Sequence, residues 1–91
     1  MSTEYSAWLV IGCPLDELGM SMDEIEELGL DTFYPGSGEI LVGIGMFATG
    51  DSSYTDLPEK YKLEETISVN FAKFLSLSGK IGKLYLTVDV V

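Results

Sequence analysis

The sequence predicts a single α+β domain spanning residues 1–91, built in two layers with the element order β-α-β-α-β. Two observations predict this fold class. Three segments show the apolar run or the apolar–polar alternation of a strand, and the two segments between them carry the caps and apolar spacing of helices. We expect a three-stranded sheet packed against one main helix (58–78), with a short acidic helix (22–28) at its side. The connections are long enough to allow parallel crossovers.

The first strand is predicted over residues 5–12, because positions 8–11 are continuously apolar. Such a run is typical of a strand that is covered on both faces, so we expect it at the centre of the sheet. Pro14 ends this strand. A single helical turn over residues 14–18 follows, with Pro14 at the first helical position, where proline is tolerated.

The short acidic helix is marked at both of its ends. Ser21 and Glu24 have the spacing of a capping box, and Gly29 is a typical C-terminal stop. Met22, Ile25 and Leu28 are predicted to form the apolar face. Four carboxylates are then directed to solvent: Asp23, Glu24, Glu26 and Glu27.

Residues 31–38 are interpreted as a turn-rich connection, and the second strand is predicted over 39–49. This strand alternates between two faces, one of which carries Gly43 and Gly45. Two glycines on one face leave a shallow trough, into which a helix or the ring of Trp8 can pack closely.

The main helix is predicted over 58–78, with Asp56 as its N-cap and Gly79 after its last residue. A strand over 66–71 stays open as an alternative, because apolar and polar residues also alternate there; the longer window favours the helix. The apolar face is expected to contain Leu63, Ile67, Phe71, Phe74 and Leu75.

The last strand is predicted over residues 84–91, where apolar residues occupy alternate positions. We expect this strand to be half-buried. A small sheet has exposed edges, and an apolar edge strand can pair with another chain. The segment 84–91 is therefore the expected site of a homodimer contact.

The charge of the chain excludes several function classes. Five Lys, no Arg and no His stand against fifteen Asp and Glu, which gives a net charge of −10. Without His there is no Ser-His or Cys-His catalytic pair and no imidazole metal ligand. Without Arg there is no bidentate phosphate clamp, and few cations are present to neutralise a nucleic acid directly. We therefore predict a protein that is not an enzyme and has no cofactor.

Two segments resemble ligand-binding motifs, but we interpret both as structural elements that bind no ligand. Residues 43–48 fit a variant of the dinucleotide-binding fingerprint, but the glycines fall inside a predicted strand instead of in the turn before a helix. Residues 51–56 place oxygen-bearing side chains like half of a calcium loop, but they lack its glycine and its bidentate glutamate. No dedicated metal site is predicted.

The single cysteine, Cys13, cannot form an intramolecular disulfide, and no apolar run is long enough to span a membrane. We therefore expect a cytoplasmic protein without membrane contact.

The acidic residues are concentrated in one part of the chain. Residues 1–59 contain twelve acids and no base, whereas residues 60–91 contain five Lys and three acids. Rigid rows of carboxylates can imitate a phosphate backbone and occupy the cationic groove of a nucleic-acid-binding protein. Charge runs of this kind are also found on faces that only keep a protein soluble. The candidate partner-binding residues are Asp16, Glu17, Asp23, Glu24, Glu26, Glu27 and Asp31, with Tyr34 and Tyr54 as aromatic anchors at the border.

In size, acidity and lack of catalytic residue types, the chain is similar to small phage-encoded inhibitors of host enzymes and to toxin-immunity proteins. This similarity is compositional and rests on no motif. The preferred hypothesis is a non-catalytic inhibitor that blocks a basic protein partner. A small-ligand or divalent-metal-binding domain using the 49–56 loop, and a self-assembling structural subunit, are the two alternatives.

Overall fold

The computed structural model describes residues 5–50, 52 and 54–90. The strands are β1 (Tyr5–Pro14), β2 (Asp31–Phe33), β3 (Leu41–Ala48) and β4 (Lys83–Val90), and the helices are α1 (Leu15–Leu18), α2 (Met22–Leu28) and α3 (Lys60–Ser78). One sheet contains the four strands in the order β2-β3-β1-β4, and all neighbouring pairs are antiparallel. The α+β class and the central position of β1 are confirmed.

The predicted number of strands is wrong, because the connection 31–38 contains β2. This strand has only three residues, which is too short for an alternation to be visible in the sequence. Phe33 pairs with Leu41 and is buried. The parallel crossover is present in one place: β3 and β4 run in the same direction on either side of β1, and α3 connects them.

One hydrophobic core lies between the sheet and α3. Phe74 is completely buried there against a cluster that includes Ile11 of β1 and Val42 of β3. Leu18 of α1 and Ile25 of α2 are buried in the same cluster, so the acidic helix is attached to this core. The helix interpretation of residues 60–78 is therefore confirmed over the strand alternative.

Two details of the predicted main helix are wrong. Leu75 is predicted in the apolar face but is exposed, and Ser78 and Leu77 are turned toward the sheet instead. Asp56 is not the cap, because α3 begins at Lys60 with Glu59 as an N-cap that makes no side-chain hydrogen bond. Residues 54–59 carry no secondary structure, so the predicted cap lies four residues before the first helical residue.

The ends of α2 are as predicted. The backbone N–H of Glu24 donates to the hydroxyl of Ser21 at 3.3 Å, so Ser21 satisfies one of the free N–H groups of the first turn. Gly29 ends the helix in the left-handed conformation at φ 77°, which glycine adopts without steric cost. The direction of the α2 carboxylates is thus fixed by local structure at both ends.

A second, smaller core lies on the opposite face of the sheet, which no helix covers in the described residues. Val10, Phe33 and Leu41 are buried there, with Trp8 and Tyr85 packed against them. Gly45 provides the space for the Trp8 ring, since a Cβ atom at this position would lie 2.8 Å from two ring carbons. The predicted packing of Trp8 into the glycine trough is confirmed.

The sheet curls over this second core. A β-bulge shifts the register between Leu9 and Val10. The backbone N–H of Tyr34, which follows β2, donates to Oδ1 of Asp89 near the end of β4 at 2.9 Å. β2 and β4 are the two edges of the sheet. Tyr34 lies near one end of β1 and Asp89 lies near the other end, so the bond joins diagonally opposite corners of the sheet.

The apolar row of β4 is more exposed than expected. Leu84, Leu86 and Val88 pair with β1 residues on the same face as α3, but they are 45%, 77% and 43% exposed. The helix packs over β1 and β3 and leaves this edge uncovered. The expectation of a half-buried strand is therefore wrong for its apolar side. Val91, the last residue of the predicted strand, lies outside the described residues.

Candidate partner-binding face

The seven predicted carboxylates lie on three consecutive elements and are all exposed. Asp16 and Glu17 belong to α1, four more belong to α2, and Asp31 begins β2. Within the part of the chain that the structure describes, the one ion pair is formed elsewhere, between Lys60 and Glu64 on α3 at 4.0 Å. We call these seven carboxylates the acidic face. Within the described residues none of them forms an ion pair with a lysine, although Glu17 shares a groove with Lys80 and Lys83.

A groove of about 590 Å³ lies between α2 and β2, within this acidic face. Its lining includes the buried residues Ile25, Leu30 and Phe33 and two exposed carboxylates, Glu26 and Asp31. An apolar cleft with two carboxylates can receive a side chain that has an apolar stem and a cationic end. Lys and Arg have this form.

Trp8 lines the same groove and is not among the predicted site residues. Its ring packs on that of Phe33, with a centroid separation of 5.5 Å and an interplanar angle of 58°. The face of a Trp ring attracts a cation. The sequence gives part of the signal for Trp8 as a binding residue, because the trough at Gly45 is predicted to accept its ring. The groove between Trp8 and α2 also requires β2, and the sequence pattern does not reveal this strand.

The two predicted tyrosine anchors occupy different places. Tyr34 is 46% exposed, and its hydroxyl lies 3.5 Å from that of Thr32, which lines the groove; Tyr34 therefore borders the acidic face. Tyr54 lies at a second groove of about 350 Å³, together with Leu57 and Leu86. Trp8 lines both grooves. Tyr54 thus belongs to the apolar side of β4 rather than to the groove beside α2.

The other sequence motifs do not form a site in the described residues. The glycines of the dinucleotide-like segment 43–48 lie inside β3. Two members of the calcium-like segment, Asp51 and Ser53, lie outside the described residues. Among the residues that the structure does describe, no group of three or more Asp, Glu, Cys or His is placed to hold a metal ion.

Cys13 is buried in the main core. Burial raises the pKa of its thiol above the ordinary value of 9.0, and the negative charge of Glu17 raises this pKa further. Because the thiolate is the reactive form, this shift lowers the reactivity of Cys13.

Comparison of the chain with models of protein families, with curated proteins and with solved structures finds no match. No described helix combines the length and the apolar character that are needed to cross a membrane.

Proposed function

We propose that this protein is a non-catalytic binding protein that blocks a basic protein partner through the acidic face, in the manner of phage-encoded inhibitors and immunity proteins. The observation that supports this proposal is the groove beside α2, where Glu26 and Asp31 flank an apolar lining that includes Trp8. We place its action in the cytoplasm, with no cofactor.

The groove is the feature that distinguishes a binding face from a merely solubilising one. Exposed carboxylates alone contribute solubility and long-range attraction, whereas interface affinity comes from side chains that fill desolvated pockets. A Lys or Arg of the partner would place its stem against Ile25 and Trp8 and its charge between Glu26 and Asp31. The acidic face thus combines a source of attraction with a place to anchor.

The surrounding carboxylates supply the attraction at longer range. With twelve acids and no base in residues 1–59, this part of the molecule accelerates its encounter with a cationic surface, and the effect decreases with salt. The four exposed carboxylates of α2 are held on one short, capped helix. A partner that normally binds the phosphates of a nucleic acid has the complementary charge, so the acidic face acts as a nucleic-acid mimic.

The test uses three forms of the protein as bait in a cell lysate at physiological salt. Wild type, E24K/E27K and E64K/E65K are compared by quantitative mass spectrometry of the captured proteins. The two double variants change the charge equally, by four units, but only the first alters the acidic face. Glu24, Glu27, Glu64 and Glu65 are all exposed. Because E24K removes the hydrogen bond from the Ser21 hydroxyl to Glu24 and E64K removes the ion pair with Lys60, circular dichroism first confirms that both variants fold. We expect a basic protein that is captured by wild type and E64K/E65K and lost with E24K/E27K.

Stopped-flow kinetics with that partner then separate attraction from anchoring. E24K/E27K should lower the association rate and flatten its salt dependence, because charges at the rim mainly steer the encounter. E26Q/D31N should mainly raise the dissociation rate, because it removes the carboxylates at the groove. Equal capture by all three baits, or tight calcium binding without any protein partner, would contradict the proposal.

A further inference from the structure

We propose that a second copy of this chain pairs with β4, so that two sheets join into one antiparallel sheet across a two-fold axis at Leu86. β4 is an edge strand of eight residues, and within the described residues it pairs only with β1. Because no other described strand pairs with its outer edge, that edge can accept another strand. The inference is independent of the acidic face and of the function proposed for it.

The two edges of the sheet differ in the protection that edge strands usually have. β2 is three residues long and begins with the exposed Asp31; short length and charge are both common defences against edge pairing. β4 also begins with an exposed charge, Lys83, but it is eight residues long and its exposed row is apolar: Leu84, Leu86 and Val88. Only β4 thus has the form of an edge that accepts a partner strand.

The sequence of β4 is complementary to itself when it is paired antiparallel about Leu86. On the α3 side, Leu86 faces the partner's Leu86, and Leu84 faces the partner's Val88. On the other side, Lys83 faces the partner's Asp89, and Asp89 faces the partner's Lys83. The carboxylate of Asp89 also accepts from the backbone N–H of Tyr34 through Oδ1. Directly opposed apolar residues and opposed opposite charges are the pairs that stabilise antiparallel strands.

The neighbouring registers do not have this complementarity. Centred on Tyr85, the pairing places Lys83 against Thr87; centred on Thr87, it places Asp89 against Tyr85. In both cases the two ion pairs are lost. The charge pattern therefore selects the register at Leu86 and identifies a second copy, rather than an unrelated strand, as the occupant.

Overall charge also favours this edge. Two chains with a net charge of −10 repel each other, and contact is least unfavourable where the local charge is small. Residues 60–91 contain five Lys and three acids, and β4 itself carries one Lys and one Asp. Most of the acidic face lies on α2 and on the opposite edge strand, so pairing through β4 leaves these carboxylates open, whereas Glu17 of α1 shares a groove with Lys83 of β4.

Sedimentation over a concentration series tests the proposal. Wild type should show a monomer–dimer equilibrium, and L86K should raise the dimer dissociation constant at least about tenfold, because it places two like charges opposite each other. The matched control is I81K, which makes the same charge change at an exposed residue outside the strand. A protein that stays monomeric, or a dimer that L86K and I81K affect equally, would overturn the proposal.

A charge-exchange experiment tests the register. K83E alone and D89K alone should each weaken the dimer, since each places like charges opposite one another twice. An equimolar mixture should restore it, because the new glutamate of the K83E chain then faces the new lysine of the D89K chain, and the native pairing of Asp89 with Lys83 forms on the second side. Circular dichroism confirms that both variants fold, and D89A, which loses the bond from Tyr34 without adding a charge, separates that loss from the like-charge effect. Failure of the mixture to associate more tightly than either variant alone would exclude this register.

Cross-linking gives a measurement that does not depend on these charge variants. L86C places two thiols directly opposite each other at the two-fold axis, so oxidation should produce a disulfide-linked dimer; I81C, also exposed but outside β4, should not. The native Cys13 is buried in the core and does not compete. Equal cross-linking of the two variants would show random collision and contradict the pairing.

Discussion

The two faces of the sheet reach burial by different means. On one face, α3 provides large side chains such as Phe74, which is fully buried against Ile11 and Val42. On the other face, the sheet itself curls, and Trp8 lies over Gly45 beside Phe33. A small domain can therefore bury both sides of a sheet with only one long helix, provided that the strands contain residues without side chains where the backbone must bend.

The largest expected effect is on the helix-covered face. F74A removes a completely buried ring and should lower the free energy of unfolding by about 3–5 kcal/mol. L75A, at the neighbouring exposed position, is the matched control and should cost much less. Urea unfolding measures both values. Similar losses for the two variants would mean that α3 does not pack in this register.

The next effect tests the opposite face. In G12A the new Cβ would collide with the backbone carbonyl of Val42, so β1 and β3 must separate, and we expect a loss of about 3 kcal/mol. G45A is a milder control, because its Cβ meets the side chains of Trp8 and Phe33, which can move. Thermal unfolding followed by circular dichroism compares the two. A G12A protein as stable as wild type would refute the close approach of these strands.

The smallest effect concerns the bond that joins the two corners of the sheet. D89A removes the acceptor of the Tyr34 N–H and should cost about 1 kcal/mol, the typical contribution of one hydrogen bond. D89N keeps a side-chain oxygen at the same position and should retain most of the stability. Hydrogen exchange of the Tyr34 amide should accelerate in D89A only. Unchanged exchange in D89A would show that the corner is held by other contacts.

The helix-covered face was largely predictable from the sequence. Its elements have strong local signals, such as the cap formed by Ser21, the stop at Gly29 and the spacing from Leu63 to Phe74. The curled face was predictable only in part. The trough for Trp8 follows from the alternation of β3, but neither the bulge near Val10 nor the bond from Tyr34 to Asp89 has a local signature, because each depends on residues far apart in the chain.

The candidate site divides in the same way. The exposure of Glu24 and Glu27 was predictable, since their spacing relative to Ile25 places them on the solvent side of α2. The groove was not, because it requires the three-residue strand β2 to lie beside α2. The sequence offers no signal for the distance between Tyr54 and the acidic face, and the structure places this residue at the second groove.

The position of Trp8 gives the molecule an internal optical reporter. It is the single tryptophan of the chain, and it lines both the groove beside α2 and the groove beside Leu86. Its emission therefore depends on the polarity of both places. A cation held between Glu26 and Asp31, or a second copy of the chain covering Leu86, would change the colour or the yield of that fluorescence without any added label.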